Sequence, residues 1–274
     1  MAQHWQAERE VDEGLAAELV RTRFPELAVG TVELVTAGWD YTVHRIDGEW
    51  AFRFPRREVV LEPMRRELAV LRQLPLDLPV PRPVHVADGG PSFPWPFWGA
   101  RWLPGTEASD STDEERRALA PQLGRFLRRL HATDLGELPV DVVDRADMRR
   151  RVPMTREELA AIADRWEAPF AVDRLLDEAE RLAPLEPTAT CHGDLHFRQL
   201  LAVGSRLTGV VDWVDVCRSD PGIDLMLVYA FLPPDARAAF FSGYGAVGAD
   251  SLMRARVLAL FLSAVLARYG RDQG

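Results

Sequence analysis

Lysine and asparagine are both missing from the 274 residues, so every basic side chain other than histidine is an arginine. An arginine or glutamine where another chain would carry lysine or asparagine is therefore weak evidence of local selection. Cysteine is scarce, with Cys191 and Cys217 the only two. They give no disulfide framework and no metal-ligand spacing, and read as small buried apolar side chains in a reducing compartment. No run reaches the roughly eighteen uninterrupted apolar residues a membrane span needs. The N-terminal MAQHWQAEREVDEG has no apolar stretch of signal-peptide length. A soluble cytoplasmic protein with no membrane partner is expected. Net positive charge is lacking too: at −9 the chain does not offer the basic surface that neutralises phosphates, which argues against a nucleic-acid partner. From Leu103 onward 27 acids face 21 arginines, so that part carries −6 of the total. Such a surface suits a cationic small molecule, and equally a plain solvated face.

What is present is ordinary globular material, 47% hydrophobic and 27% charged, in a length that allows one large domain or two sharing a cleft. Val11, Leu15, Leu19 and Val20 fall on one face of a predicted helix over residues 8–23, closed by Pro25. VELVTAG, YTVHRID and EWAFRF then read as strands, with an Asp47-Gly48 hairpin turn between the last two. Residues 62–74 return to helical periodicity. LPLDLPVPRP predicts an extended connector, and PVHVADGG and FPWPFWGARWL two more strands around Gly89-Gly90. Beyond Gly105 the chain becomes mainly helical. Thr112 with Glu115 predicts a capping box for a helix ending near Leu130, and Thr155 with Glu158 predicts a second. QLLAV and LTGVVDW interrupt as short strands, and residues from Gly222 onward read as helix. The architecture expected is α+β and bilobal. A small sheet-rich lobe spans 1–102, a hinge lies about 99–105, and a larger helical lobe over 103–274 carries a hairpin-like loop region, with ligands in the cleft.

The most informative stretch is CHGDLHFRQLL followed by GVVDWVDVCRSDPGID. Asp194 sits between turn-forming residues and a short strand, and Asp212 ends the next strand. A hairpin turning at Gly204-Ser205 would bring both carboxylates to one end of the loop pair. Phosphoryl transfer needs such a pair, one carboxylate to accept or orient a hydroxyl proton and one to hold Mg²⁺ on the phosphates.

The run His192-Gly193-Asp194-Leu195-His196-Phe197-Arg198-Gln199 resembles the kinase loop H-R-D-L-x-x-x-N, with glycine for arginine and glutamine for asparagine. The H-G-D form, with Asp212-Trp213 for D-F-G and Asp220-Pro221-Gly222-Ile223-Asp224 as D-P-x-x-D, resembles the aminoglycoside and macrolide phosphotransferases. That resemblance implies a protein-kinase-like fold, a small antiparallel-sheet N-lobe over a mainly helical C-lobe. It implies Asp194 as catalytic base, Asp212 as principal Mg²⁺ ligand, and Gln199 in the second metal-ligand position. Trp50-Ala51-Phe52-Arg53 resembles the V-A-I-K strand, with Arg53 in the lysine's place and Glu67 as its partner acid on the next helix; an Arg53–Glu67 pair can also be purely structural. No G-x-G-x-x-G exists, and Thr36-Ala37-Gly38-Trp39-Asp40 is the only candidate phosphate-covering turn. The segment from Trp98 to Gly105 resembles the interlobe hinge, where the backbone of Ala100 and Trp102 would meet a purine edge.

His192 is expected to bond backbone near the loop, His196 to face nucleotide or sit in the turn, Asp224 to orient loop backbone, and Asp215 to be a solvated loop acid. The function implied is a monomeric kinase moving the γ-phosphoryl group of ATP or GTP onto a hydroxyl of an aminoglycoside or macrolide, the acceptor being a small molecule, and the acidic surface would suit a cationic one. A metabolic kinase for a small alcohol or amine sugar shares the pattern. A catalytically silent nucleotide binder would be consistent with Arg53 and Gln199, but Asp194 and Asp212 argue against it.

Overall fold

Asp47 and Gly48 both adopt left-handed backbone angles, φ 51° and 67°, in the computed structural model, and the strands they join close into a hairpin. The structure describes residues 7–74, 80–141, 143–166 and 168–273. The chain divides into two compact units, Met1–Gln73 with Pro79–Pro104 and Leu74–Leu78 with Gly105–Gly274.

In the first unit, β1 (Val32–Ala37), β2 (Tyr41–Ile46), β3 (Trp50–Pro55), β4 (His85–Ala87) and β5 (Phe97–Arg101) form an antiparallel sheet in the order β1-β2-β3-β5-β4. Aromatic side chains at alternate positions of β3 and β5 face one side and build the core: Phe52, Phe54 and Phe97 are buried with Phe93, and the Phe54 and Phe97 rings stack at 4.9 Å. Helix α1 (Glu13–Arg23) adds Ala16 and Val20 to this core. It begins later than the periodicity predicts because the Asp12 side chain accepts the Leu15 N–H at 2.8 Å and caps it there. Val11, though buried, lies outside the helix. Helix α2 (Leu61–Gln73) buries Met64, Leu68 and Leu71 together with one charged residue, Glu67. Of the proline-rich connector, residues 75–79 lie outside the described residues, and 80–83 have no regular structure.

The second unit holds β6 (Thr106–Glu107), α3 (Asp113–Ala132), α4 (Met148–Ala161), α5 (Phe170–Ala179), β7 (Ala189–Cys191), β8 (Leu200–Val203), β9 (Arg206–Val210) and β10 (Cys217–Ser219). Helices α6 (Gly222–Leu225), α7 (Leu227–Ala230), α8 (Arg237–Tyr244) and α9 (Ala249–Gln273) follow. Helix α9 packs on α4, α5, α6 and α7, and α3 packs on α8. The capping box of α3 is formed: Thr112 Oγ1 accepts from Glu115 N at 3.3 Å, and Glu115 Oε2 accepts from Thr112 N at 2.8 Å. Thr155, expected to open a second box, lies inside α4 with its hydroxyl donating to Arg151 O at 2.8 Å. Asp147 caps that helix instead, two turns upstream. The β8–β9 hairpin turns at Gly204-Ser205 as predicted, and no helix among the described residues is long and apolar enough to cross a membrane.

Candidate active site

β7 and β10 pair antiparallel with Cys191 opposite Cys217. The chain leaves β7 into residues 192–199, returns through the β8–β9 hairpin, passes residues 211–216 and re-enters at β10. The two loops carrying H-G-D and D-W-x-D are thereby clamped at their base. Gly193 has φ 89°, and a Cβ there would lie 2.2 Å from the carbonyl oxygen of Asp215. No other residue can take that conformation against that neighbour, which accounts for glycine in place of the kinase arginine. His192 donates through Nε2 to Val211 O at 3.0 Å, the backbone role expected of it.

Asp224, fully buried, holds the loop from below. Its carboxylate accepts the N–H groups of His192 at 2.8 Å and Gly193 at 3.0 Å. It also meets His131 Nε2 at 3.1 Å, and Tyr244 Oη lies 2.7 Å from the other ring nitrogen of His131. Burial alone would raise the Asp224 pKa, but the His131 hydrogen bond, the nearby imidazoles and the His192 N–H outweigh it and hold the carboxyl below its ordinary value. The loop-orienting role expected of Asp224 is what the geometry shows. His131, Cys191 and Asp224 bring three potential metal-ligand atoms within 4.8 Å of one another. Burial pushes the Cys191 thiol well up, and the His131 nitrogen and Asp224 oxygen bond each other, so the trio reads as a structural network.

Asp194 stands at the tip, its side chain 37% exposed. Burial pushes its pKa up to about 6; the charge of Arg145 opposes this, while those of Asp215 and Asp212 add to it. Arg145 reaches it from the segment before α4, with Nη2 3.4 Å from Asp194 Oδ1 and 2.8 Å from Asp215 Oδ2. Asp215 is thus ion-paired rather than the solvated loop acid expected. The sequence reading missed Arg145, His131 and Tyr244; an arginine in a chain without lysine carries no signal by its type, and their partners lie far along the chain.

Gln199 ends a single 3₁₀ turn, Phe197–Gln199, and is buried. Its Oε1 accepts the His196 N–H at 3.2 Å, and its Nε2 lies 2.9 Å from His196 Nε2. Burial lowers the His196 pKa to about 4, so the ring is neutral and serves the turn. Asp212 takes the left-handed backbone region at φ 67°, uncommon for a residue with a side chain and typical of strained functional positions. The donor set at these two positions is a carboxylate and an amide oxygen with a lone pair to spare, hard oxygens of the kind Mg²⁺ takes.

In the first unit, Arg53 Nη1 donates to Glu67 Oε1 at 2.7 Å, with Glu67 wholly buried. The Arg53 guanidinium also lies over the Tyr41 ring at 4.3 Å. The backbone expected to meet a purine edge is turned otherwise than expected. Trp102 N–H donates to Glu49 O at 2.7 Å, and Ala100 pairs with Ala51 in the same ladder. Backbone groups alternate in direction along an antiparallel strand, so Ala100 and Trp102 both point into the sheet toward β3. Arg101 is the residue between them whose N–H and C=O point the other way.

The sequence model of the "Phosphotransferase enzyme family" matches residues 31–259. The chain belongs to that family. No protein of curated function matches it in sequence. Among solved structures it is similar to the GDP complex of wild-type aminoglycoside 2'-phosphotransferase-IIIa, at TM-score 0.70 and 19% identity over 96% of this chain and 93% of that one. It is also similar to the macrolide 2'-phosphotransferase MphH from Brachybacterium faecium, at TM-score 0.63 and 24% identity over 94% of this chain and 91% of that one. The family's kinase-like fold, an antiparallel-sheet part followed by a helical part, is the fold described above. As a member of this phosphotransferase family the protein is an enzyme.

Proposed function

We propose that the protein transfers the γ-phosphoryl group of ATP or GTP to a hydroxyl of an aminoglycoside or macrolide, with Asp194 as the base. The observation that carries this reading is the Asp194 carboxylate, held on a loop that Asp224 fixes and raised toward the working pH. A base is most effective there, ionised enough to accept a proton yet basic enough to want it. Support for the acceptor class comes from solved structures of similar fold, which include a GDP and kanamycin complex and a macrolide 2'-phosphotransferase.

In this reading Asp194 takes the proton from the acceptor hydroxyl as its oxygen bonds to the γ-phosphorus. The bond from phosphorus to the bridging oxygen breaks, and ADP or GDP leaves. Asp212 and Gln199 would hold Mg²⁺, which when bound offsets phosphate charge. Arg53, held by Glu67, would in this reading bind the donor phosphates in the place the family's lysine takes. The outward backbone of Arg101, rather than Ala100 or Trp102, meets the base edge.

The test is a coupled nucleotide-consumption screen across aminoglycosides, macrolides and small metabolic alcohols with each nucleotide. Turnover confined to an aminoglycoside or a macrolide is expected. Turnover confined to a metabolic alcohol would replace the acceptor class, and no turnover with any acceptor would remove the reading.

A further inference from the structure

Arg145 belongs to none of the motifs, yet it reaches both loops of the site. The backbone that carries it is built rather than loose. Val140 bridges to Arg218 beside β10, and Asp141 N donates to Arg218 O at 3.1 Å. Asp144, at φ 51°, donates its N–H to Asp141 O at 2.8 Å, and Ala146 N donates to Asp141 Oδ2 at 2.7 Å. Arg151, on α4, closes the segment by donating from Nε to Arg145 O at 3.1 Å. From this base the guanidinium makes three contacts. Nη1 donates to Gly193 O at 3.1 Å, Nη2 donates to Asp215 Oδ2 at 2.8 Å, and Nη2 lies 3.4 Å from Asp194 Oδ1.

We propose that Arg145 is the positioning residue for the base: it ties the H-G-D loop to the Asp215 loop and sets the direction of the Asp194 carboxylate. The inference rests on the reading of Asp194 as base. Its physical basis is the planar fork, which can meet a carbonyl oxygen and two carboxylates in fixed directions, whereas the point charge of a lysine cannot. Misplacing a reacting group by an ångström costs about a hundredfold in rate, so a bridging contact of this kind acts on turnover more than on binding.

The charged groups that act on Asp194 are Arg145, Asp215, His192 and Asp212. Arg145 favours the ionised form, so its removal moves the Asp194 titration upward from about 6; removal of Asp215 moves it downward. The experiment compares Arg145→Gln, Arg145→Lys and Asp215→Asn with wild type. Each is followed by ¹³C carboxyl NMR of the apo protein, with Asp194→Asn to assign the signal, and by the pH–rate profile with the acceptor that the screen identifies.

For Arg145→Gln we expect kcat down about a hundredfold with the nucleotide KM within about twofold, and an acid limb moved to higher pH. Arg145→Lys should recover part of the rate, and millimolar guanidinium should raise the rate of Arg145→Ala. An unmoved Asp194 titration in Arg145→Gln, with only thermal stability lowered, overturns the proposal. Should Arg145→Gln not fold, a wild-type kcat in Arg145→Lys together with an unmoved titration in Asp215→Asn overturns it equally. The NMR arm needs no acceptor. A titration that moves as expected in a protein without kinase activity therefore supports the Arg145 assignment while the phosphoryl-transfer reading fails.

Discussion

Asp224 and Asp194 serve the same loop and are driven in opposite directions. Asp224 is fully buried yet held below the ordinary carboxyl range, while Asp194 keeps more than a third of its side chain in solvent and is raised to about 6. Depth of burial does not rank them; the donors do. Two backbone N–H groups and an imidazole converge on Asp224, enough to outweigh desolvation. Asp194 is raised first by its own burial; a guanidinium at 3.4 Å, shared with Asp215, opposes this, and the repulsion of two other carboxylates adds to it. One carboxylate is satisfied so that it stays ionised and still. The other is left short of donors so that it can take a proton.

The largest effect should come from removing the unsatisfied member. Asp194→Ala is expected to lower turnover by about 10²–10⁴ while nucleotide affinity stays within about tenfold, since the carboxylate acts on the acceptor hydroxyl. A mutant that keeps near-wild-type turnover would take Asp194 out of the mechanism. Next in size, Asp224→Ala leaves the His192 and Gly193 N–H groups buried without their acceptor. At about 1–3 kcal/mol for each unsatisfied group, a loss of about 3 kcal/mol in a denaturant titration is expected, with turnover falling as the loop loosens. An unchanged midpoint would mean that water replaces the carboxylate at no cost, and that the loop does not depend on it.

A sharper contrast lies in the pH dependence of stability. Asp194 has its folded pKa above the unfolded value, so stability is present below the ordinary carboxyl range and lost as pH rises through about 6. Asp224 has its folded pKa below the unfolded value, so its contribution is present above the ordinary range and lost as pH falls through the folded value. Relative to wild type, Asp194→Asn should gain about 1–2 °C in Tm as pH goes from 4 to 8, a modest amount because the group is partly exposed. Asp224→Asn should show a deficit that is full above pH 4 and shrinks below it. Parallel pH profiles for the two mutants would dissolve the comparison.

The parts of this site legible in the sequence are those in which a side-chain type carries the chemistry at a fixed spacing. H-G-D, D-W and D-P-x-x-D qualify, and the positions of Asp194, His192 and Asp224 on one loop system follow from them. The β2–β3 and β8–β9 hairpins, with Asp47-Gly48 and Gly204-Ser205 as their turns, were legible because turn chemistry is local. Other features were not local. Whether Ala100 or Arg101 presents its backbone outward depends on the register of β3 against β5, and a shift of one residue reverses every group. Asp215 reads as a solvated acid until Arg145 is placed beside it, seventy positions away in sequence. Thr155 with Glu158 has the letters of a capping box, but Asp147 caps first, and the hydroxyl then turns back on the helix.

Gln199 gives the smallest and most discriminating test, because its observed bond to the turn and the metal-ligand role proposed for it predict different losses. Its oxygen already accepts the His196 N–H, which by itself would make it a structural clamp on the turn after the base. A carbonyl-type oxygen has a second lone pair, and that pair is what a ligand role would use beside the strained backbone of Asp212. Gln199→Leu removes both. If the side chain only clamps the turn, the mutant should lose about 1 kcal/mol of stability, the scale of one hydrogen bond, and keep the Mg²⁺ dependence of its rate. If it also supplies an oxygen to the ion, the Mg²⁺ concentration for half-maximal rate should rise several-fold, because Mg²⁺ holds to near-ideal octahedral oxygen geometry. Gln199→Asn keeps the amide while shortening its reach, so it should weaken the His196 contact more than the metal preference. We expect the half-maximal Mg²⁺ concentration to rise in Gln199→Leu and to move little in Gln199→Asn; an unchanged value in the leucine mutant assigns Gln199 to the turn alone.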